Sequence, residues 1–469
     1  MATRACDRCY AIKAKCQAGR DPAACRRCER LGHRCETLRS VQRVGRPRTR
    51  YPRSQTSSPS SIGSCKSATA SFISNPIPNT PNQEQEIPIT SLSLSRLSEP
   101  YPIPSISQSL AHPSESTIIE FLFSTTHFIP HFIIGPSFAR SMQYSLQTRF
   151  FGSSETLLEG FLACAGEFAH RSGLHVDNSS SPDSDSGGRE HKERNMTRSA
   201  HAIRKLRSLH PTDLATMATM LALGTSILTY DNLAALEGAS MICRYLLSQV
   251  KSWYTRLVQT PEFDFELNCL IYLDTVECLI RREVPVLRLE IREEGVVDRY
   301  VGLVYSLLPV LYDVCMLGWE VKQTGGFGCG NGMLERWKGV RKKVASWQPS
   351  PPEGFMNMFT AKEVIAICTQ ANIYRQLGLL LLHRLRYPFG NEDIAGVAYA
   401  EAIFAEVETC ERLAGEAPFK IGFPLLVAGF EVVDSAARDE QIQRHFNEGK
   451  TIVEACLEGT RRKKERFLV

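Results

Sequence analysis

Six cysteines within the first 35 residues repeat one interval, Cys6-x2-Cys9-x6-Cys16 and Cys25-x2-Cys28-x6-Cys35, with eight residues between the halves. A Cys-x2-Cys step places two sulfurs on one ion, and a third sulfur returns after a short helix-length spacer, as structural zinc sites require. Two tetrahedral zinc ions need eight metal–sulfur bonds, so six thiolates suffice only if two of them bridge both ions. Such a cluster has no open coordination position, and its chemistry is structural. Spacing alone does not say which sulfurs bridge. His33 stands two residues before Cys35; with six thiolates sufficient, it is assigned to the surface or to a phosphate. The competing reading is a disulfide framework. It fits poorly, because no apolar leader stands between Met1 and Cys6. The other ten cysteines are scattered, mostly in apolar surroundings, the pattern expected of thiols in a reducing compartment.

The run Cys6-Asp7-Arg8-Cys9-Tyr10-Ala11-Ile12-Lys13-Ala14-Lys15-Cys16, followed by Cys25-Arg26-Arg27-Cys28 and Cys35, resembles the binuclear zinc cluster of fungal transcription factors at every cysteine. The resemblance implies two Zn2+ per chain. Cys6 and Cys25 would be the shared ligands, Cys9 and Cys16 would complete one site, and Cys28 and Cys35 the other. It also implies double-stranded DNA as the partner. Asp7 to Lys15 reads as a short helix whose Asp7 suits the positive end of the dipole. In the family, a lysine at the Lys13 position donates to guanines of a C-G-G triplet in the major groove. Many relatives have two adjacent basic residues there, whereas this chain has Ile12 before Lys13. Arg8, Lys15, Arg26, Arg27, Arg30 and Arg34 are assigned to phosphates, which fix position without reading sequence.

Charge agrees with that partner. Residues 1–53 hold thirteen Arg and two Lys against Asp7, Asp21, Glu29 and Glu36. The whole chain is only +5, so the remaining residues are net acidic and the cations are gathered on one small module. This is the electrostatic footprint of a polyanion binder. Arg43-Val44-Gly45-Arg46-Pro47-Arg48 continues it, and Gly45-Arg46-Pro47 resembles the core of an AT-hook lying in a narrow minor groove. Arg46 and Arg48 are assigned to a backbone-contacting arm that doubles as a nuclear-import signal.

The elements that position these groups follow from composition. Residues 1–38 form the cluster domain and 39–53 the basic arm. Residues 54–114 are rich in serine and proline and form a disordered linker. No dimerisation heptad is legible there, which leaves homodimerisation to some other surface. From 115 to 469 the composition turns globular, with helical periodicity and few strand signals. Helices are predicted over Leu214–Tyr230, Ala234–Leu257, Glu266–Arg282, Val296–Glu320, Ala361–Arg386, Ile394–Ala414 and Pro424–Phe446. A mobile polar loop is predicted at about 175–197. It contains Asn178-Ser179-Ser180 and Asn195-Met196-Thr197, triplets that mean glycosylation only on a secretory route. The fold class is therefore mostly α: a small two-zinc cluster, a linker and a large all-helical domain.

The helical half resembles a known region too. Leu379-Leu380-Leu381-Leu382-His383-Arg384 and Phe423-Pro424-Leu425-Leu426-Val427-Ala428-Gly429-Phe430-Glu431, with Arg438 beyond, are similar to the C-terminal fungal-specific transcription factor domain. That resemblance implies an all-helical regulatory region contacting transcription machinery or coactivators. The apolar positions are read as core, and His383-Arg384 as the polar edge of a buried helix.

No nucleophile elbow, phosphate loop or His-Glu-x2-His pair is present, so no catalytic residue and no bound organic cofactor are assigned. Gly325-Gly326-Phe327-Gly328-Cys329-Gly330-Asn331-Gly332 misses the dinucleotide spacing and reads as a loop. No apolar run approaches a bilayer span, so no membrane partner is expected. Arg461-Arg462-Lys463-Lys464-Glu465-Arg466 is a basic tail. The expectation is a nuclear, sequence-specific DNA-binding regulator, with control of a secondary-metabolite gene cluster as the preferred role. Control of primary metabolism or stress genes, or a zinc-stabilised interaction protein that does not read DNA, are the alternatives.

Overall fold

Every regular element among the described residues is helical, as the three-and-four apolar periodicity from residue 115 onward requires. The computed structural model describes residues 16, 25–30, 35, 113–173, 185–327 and 331–432. The chain divides into two units, residues 1–87 and 88–469. The first holds the short α1, Arg26–Arg30. The second opens with α2 (Pro113–Leu122), α3 (Ala139–Gly152), α4 (Ser154–Arg171), α5 (Asp185–Ser208) and α6 (Leu214–Leu233). It continues through α7 (Ala239–Val250), α8 (Tyr254–Val258), α9 (Asp264–Arg281), α10 (Leu308–Thr324) and α11 (Asn331–Ser346). It closes with α12 (Phe355–Met358), α13 (Ala361–Arg386), α14 (Asp393–Ala414) and α15 (Gly422–Gly429).

Local chemistry sets the helix starts. Asp213 caps α6 by accepting the Thr216 amide at 2.8 Å. A capping box opens α13. Thr360 Oγ1 accepts the Glu363 amide at 3.3 Å, and Glu363 Oε2 accepts the Thr360 amide at 3.0 Å. Pro113 stands at the first position of α2, where a missing N–H costs nothing.

Packing then assembles these helices. α4 lies against both α5 and α6, and α13 lies along α14, which also carries α15. One apolar core runs from Ile119 through Phe150, Leu221 and Tyr374 to Ala428. Fully burying each such side chain is worth about 1.5–3 kcal/mol. A second cluster gathers Cys278, Cys315, Trp337, Val344 and Leu382, and Trp337 Nε1 donates to the Leu382 carbonyl at 2.8 Å.

Several boundaries differ from the sequence reading. The polar loop expected at about 175–197 is helical from Asp185, because Arg189 to Arg194 are good helix formers and Asn195 plugs into the core, fully buried. The asparagine of the Asn195-Met196-Thr197 triplet is therefore buried within a helix, and Asn178-Ser179-Ser180 lies outside the described residues. The stretch predicted as one helix over Ala234–Leu257 breaks twice. Ala235 takes a positive φ, Asp231 Oδ2 caps the next helix at the Ala239 amide, and a turn separates α7 from α8. The helix expected from Val296 begins in irregular backbone. Gly302, at φ +63, allows a bridge to Asp298 and leaves regular α-helix to start at Leu308. Leu303–Thr324 and Ala361–Arg386 are long and apolar enough to cross a bilayer by length and composition, contrary to the expectation, and most of each lies buried inside the domain. The helix predicted over Pro424–Phe446 is seen as Gly422–Gly429, and residues beyond 432 lie outside the described ones. The linker does too, except that Pro113 and Ser114 already belong to α2.

Candidate metal centre and the clasp of the helical domain

Cys25 immediately precedes α1 and Cys28 lies within it, so one helical turn brings the two sulfurs of the Cys-x2-Cys step to the same side. Both residues are buried, and Cys16 and Cys35 pack against them half-exposed. The Cys28 amide donates to Cys25 Sγ at 3.5 Å, and the Cys25 amide donates to Cys35 Sγ at 3.2 Å. Amide hydrogens aimed at sulfur favour the thiolate, the form that binds metal. The ligand atoms of Cys25, Cys28 and Cys35 lie within 4.8 Å of one another. Zinc–thiolate bonds of about 2.3 Å in a tetrahedron put sulfurs roughly 3.8 Å apart, so the donor set fits one ion.

Of the expected ligands, the structure brings together Cys25, Cys28 and Cys35, with Cys16 beside them. Cys6 and Cys9 lie outside the described residues, as do Arg8, Lys13, Lys15, Arg46 and Arg48. Arg26 is exposed on α1, and Arg27 is in the same helix with its side chain outside the described set.

In the second unit, the two motif segments quoted from the sequence meet. Arg384, near the end of α13, donates from Nε to Glu431 Oε1 at 2.7 Å, and its Nη2 reaches Glu431 Oε2. Its Nη1 faces Asp393 Oδ1 at 2.8 Å and the carbonyls of Tyr387 and Asn391 at 3.2 and 3.3 Å. The Phe389 ring covers the guanidinium at 4.4 Å. The Arg384 and Glu431 side chains are only 11 % and 2 % exposed. Gly396 of α14 is the floor of this clasp, since a Cβ there would stand 2.3 Å from Arg384 Nη2. His383 is buried beside it, its Nε2 donating to the Glu392 carbonyl at 3.0 Å, and burial holds its pKa below the ordinary value.

The loop ahead of α15 is held by a second polar group. Tyr272 of α9 is hydrogen-bonded to the hydroxyl of Tyr374 on α13, which donates to the Lys420 carbonyl at 2.7 Å. Lys420 Nζ sits over the Tyr300 ring and donates to the Phe132 carbonyl at 3.2 Å. A third group joins α7 to α9. Arg244 Nη1 donates to Asp274 Oδ1 at 3.1 Å and to Cys278 Sγ at 3.2 Å, while Asp274 Oδ2 accepts the Val286 amide at 2.6 Å. Sequence reasoning quoted Arg384 and Glu431 but did not pair them, and it missed Asp274 and Lys420. A lone charged residue inside an apolar helix was the available signal for Asp274.

Residues 152–450, more than half of the chain, match the family model described as "Fungal specific transcription factor domain". No curated protein and no solved structure matches the chain.

Proposed function

The chain belongs to the family that carries the fungal specific transcription factor domain, which makes it a regulator of transcription, and on that premise we propose that it is a nuclear, zinc-dependent, sequence-specific DNA-binding protein. The observation that carries the reading is the mutual approach of the Cys25, Cys28 and Cys35 sulfurs in a chain that also bears the family's helical domain. In this proposal Cys6, Cys9, Cys16, Cys25, Cys28 and Cys35 hold two Zn2+, with Cys6 and Cys25 bridging. When bound, the metal supplies the folding energy that a module of 38 residues cannot draw from an apolar core.

The chain's own residues then divide the work. Lys13 reads guanine edges of a C-G-G triplet in the major groove. Arg8, Lys15, Arg26 and Arg27 contact phosphates and set register. Arg46 and Arg48 lie along the backbone as an arm and serve nuclear import. The helical domain contacts transcription machinery or coactivators and does no catalysis. A linker over 54–112 lets DNA binding and partner contact vary independently. Control of a secondary-metabolite gene cluster is the biological role preferred here.

Selection of bound sequences from a random duplex pool, using the zinc-loaded full chain, tests the reading. Enrichment of C-G-G triplets is the expected result. Equal affinity for all duplexes at physiological salt would leave a zinc-stabilised interaction protein instead.

A further inference from the structure

Alternate residues of α12 and its flank point in opposite directions. Phe355 and Phe359 turn inward, 5.2 Å apart between ring centroids, with Phe359 also 5.4 Å from Phe138. Met356 and Met358 turn outward and are 69 % and 40 % exposed. Two phenylalanines thus anchor a short element whose flexible, polarisable side chains stand in solvent, a composition suited to adaptable apolar contact.

The loop after Ile291, itself exposed, runs beside this element. A Cβ on Gly295 would stand 3.3 Å from Pro352 Cα, and the Phe355 amide donates to the Pro352 carbonyl at 3.1 Å. The exposed carboxylates Glu293 and Glu294 just precede Gly295 and the exposed Glu353 just follows Pro352, so all three flank the point where loop and element meet. None of the three makes an ion pair among the described residues, whereas Asp313, Glu320 and Glu335 are each paired with a cation. The exposed methionines of this element thus stand beside a junction that carries three such carboxylates.

One segment of the same chain has the complementary order. Residues 461–466 carry Arg461, Arg462, Lys463, Lys464 and Arg466 against Glu465 alone, and Phe467-Leu468-Val469 follow at once. Twenty-eight residues separate Val432, the last described, from Arg461. Extended, they could span roughly 95 Å, so chain length does not limit the approach. We infer that residues 461–469 dock in cis on the face formed by Met356 and Met358, their cations against Glu293, Glu294 and Glu353 and their apolar residues on the methionines. Opposite charges on the rim steer the segment, and apolar burial holds it.

The test is zero-length carbodiimide crosslinking of the intact, zinc-loaded chain at low salt, with products mapped by mass spectrometry in the monomer band. Lys463 and Lys464 should join Glu293, Glu294 or Glu353 in preference to other exposed carboxylates such as Glu190, Glu401 and Glu408. In the double variant Met356→Asn, Met358→Asn, whose changes are on exposed side chains, those crosslinks should fall about fivefold while others persist. Crosslinks spread evenly over surface carboxylates, found only in chain dimers, or unchanged in the double variant would each overturn the inference.

Discussion

Arg384 and Glu431 are 47 residues apart and close onto each other through a two-pronged, nearly solvent-free ion pair. The pair ties the end of α13 to the residues just after α15, with Asp393 at the start of α14 as a third member. The two segments quoted for their similarity to the family domain are thus joined at their charged ends.

Breaking this clasp from one side should be costly. Arg384→Met leaves the buried Glu431 carboxylate without its counter-charge, a loss of about 3–5 kcal/mol, and Glu431→Gln should cost less because Asp393 still faces the guanidinium. Denaturant unfolding of the full chain, followed by helical circular dichroism, measures it. Gly396→Ala should destabilise as well, by pushing a methyl group into the same site. A loss below about 1 kcal/mol for both clasp variants would mean that the pair is screened by water.

This relationship shows where sequence reading stops. Ala361–Arg386 was legible to the residue, since a capping box starts it and an apolar face sustains it. The partner of Arg384 was not, because an ion pair between residues so far apart leaves no periodic trace. The cysteines behaved in the opposite way. Their spacing announced the metal chemistry, and the structure adds the sulfur neighbourhood of Cys25, Cys28 and Cys35. The breaks at Ala235 and Gly302 went unread because the backbone reversals are held by carboxylates within apolar stretches, Asp231 on the Ala239 amide and Asp298 on the Tyr300 and Val301 amides. At α5, three consecutive serines and two glycines masked a helix that starts only four residues before Arg189, the first of its strong formers.

Glu363 gives the domain a pH dependence of definite sign. Burial pushes its carboxyl up, but hydrogen bonds from the Ser137 amide, the Thr360 amide and both hydroxyls outweigh this and hold it below 4.5. A folded-state value below the unfolded one contributes stability that is present above the unfolded pKa and lost as pH falls through the folded value. Glu363→Gln should therefore cost about 0.5–2 kcal/mol at pH 7, the scale of a helix cap. The gap between wild type and variant should narrow once pH drops below 4.5. Unfolding midpoints measured at pH 7 and under acid conditions check this, and a gap that is the same at both would remove the ionised carboxylate from the account.

The cluster and the helical domain should respond separately to loss of metal. Cys28→Ser removes a buried sulfur from the group of three and should release zinc, unfolding the cysteine-rich segment. The helical signal of residues 113–432 should remain, because their core contains no residue of that segment. Metal analysis and circular dichroism on one sample decide it. Loss of helicity throughout would contradict two independent folding units.

Base reading and backbone contact are separable by salt. A lysine donating to guanine contributes discrimination, so Lys13→Ala should cost about 1–3 kcal/mol on the selected site and relax one base preference. Its affinity for unrelated duplex should change far less. Arginines on phosphates release counterions, so Arg46→Ala with Arg48→Ala should weaken all duplexes alike. The salt slope should fall by about one unit per lost contact. Titrations against selected and scrambled duplexes across a range of salt distinguish the two behaviours. Equal losses on both duplexes for Lys13→Ala would make it a phosphate contact, and an unchanged slope would take the arm out of the interface.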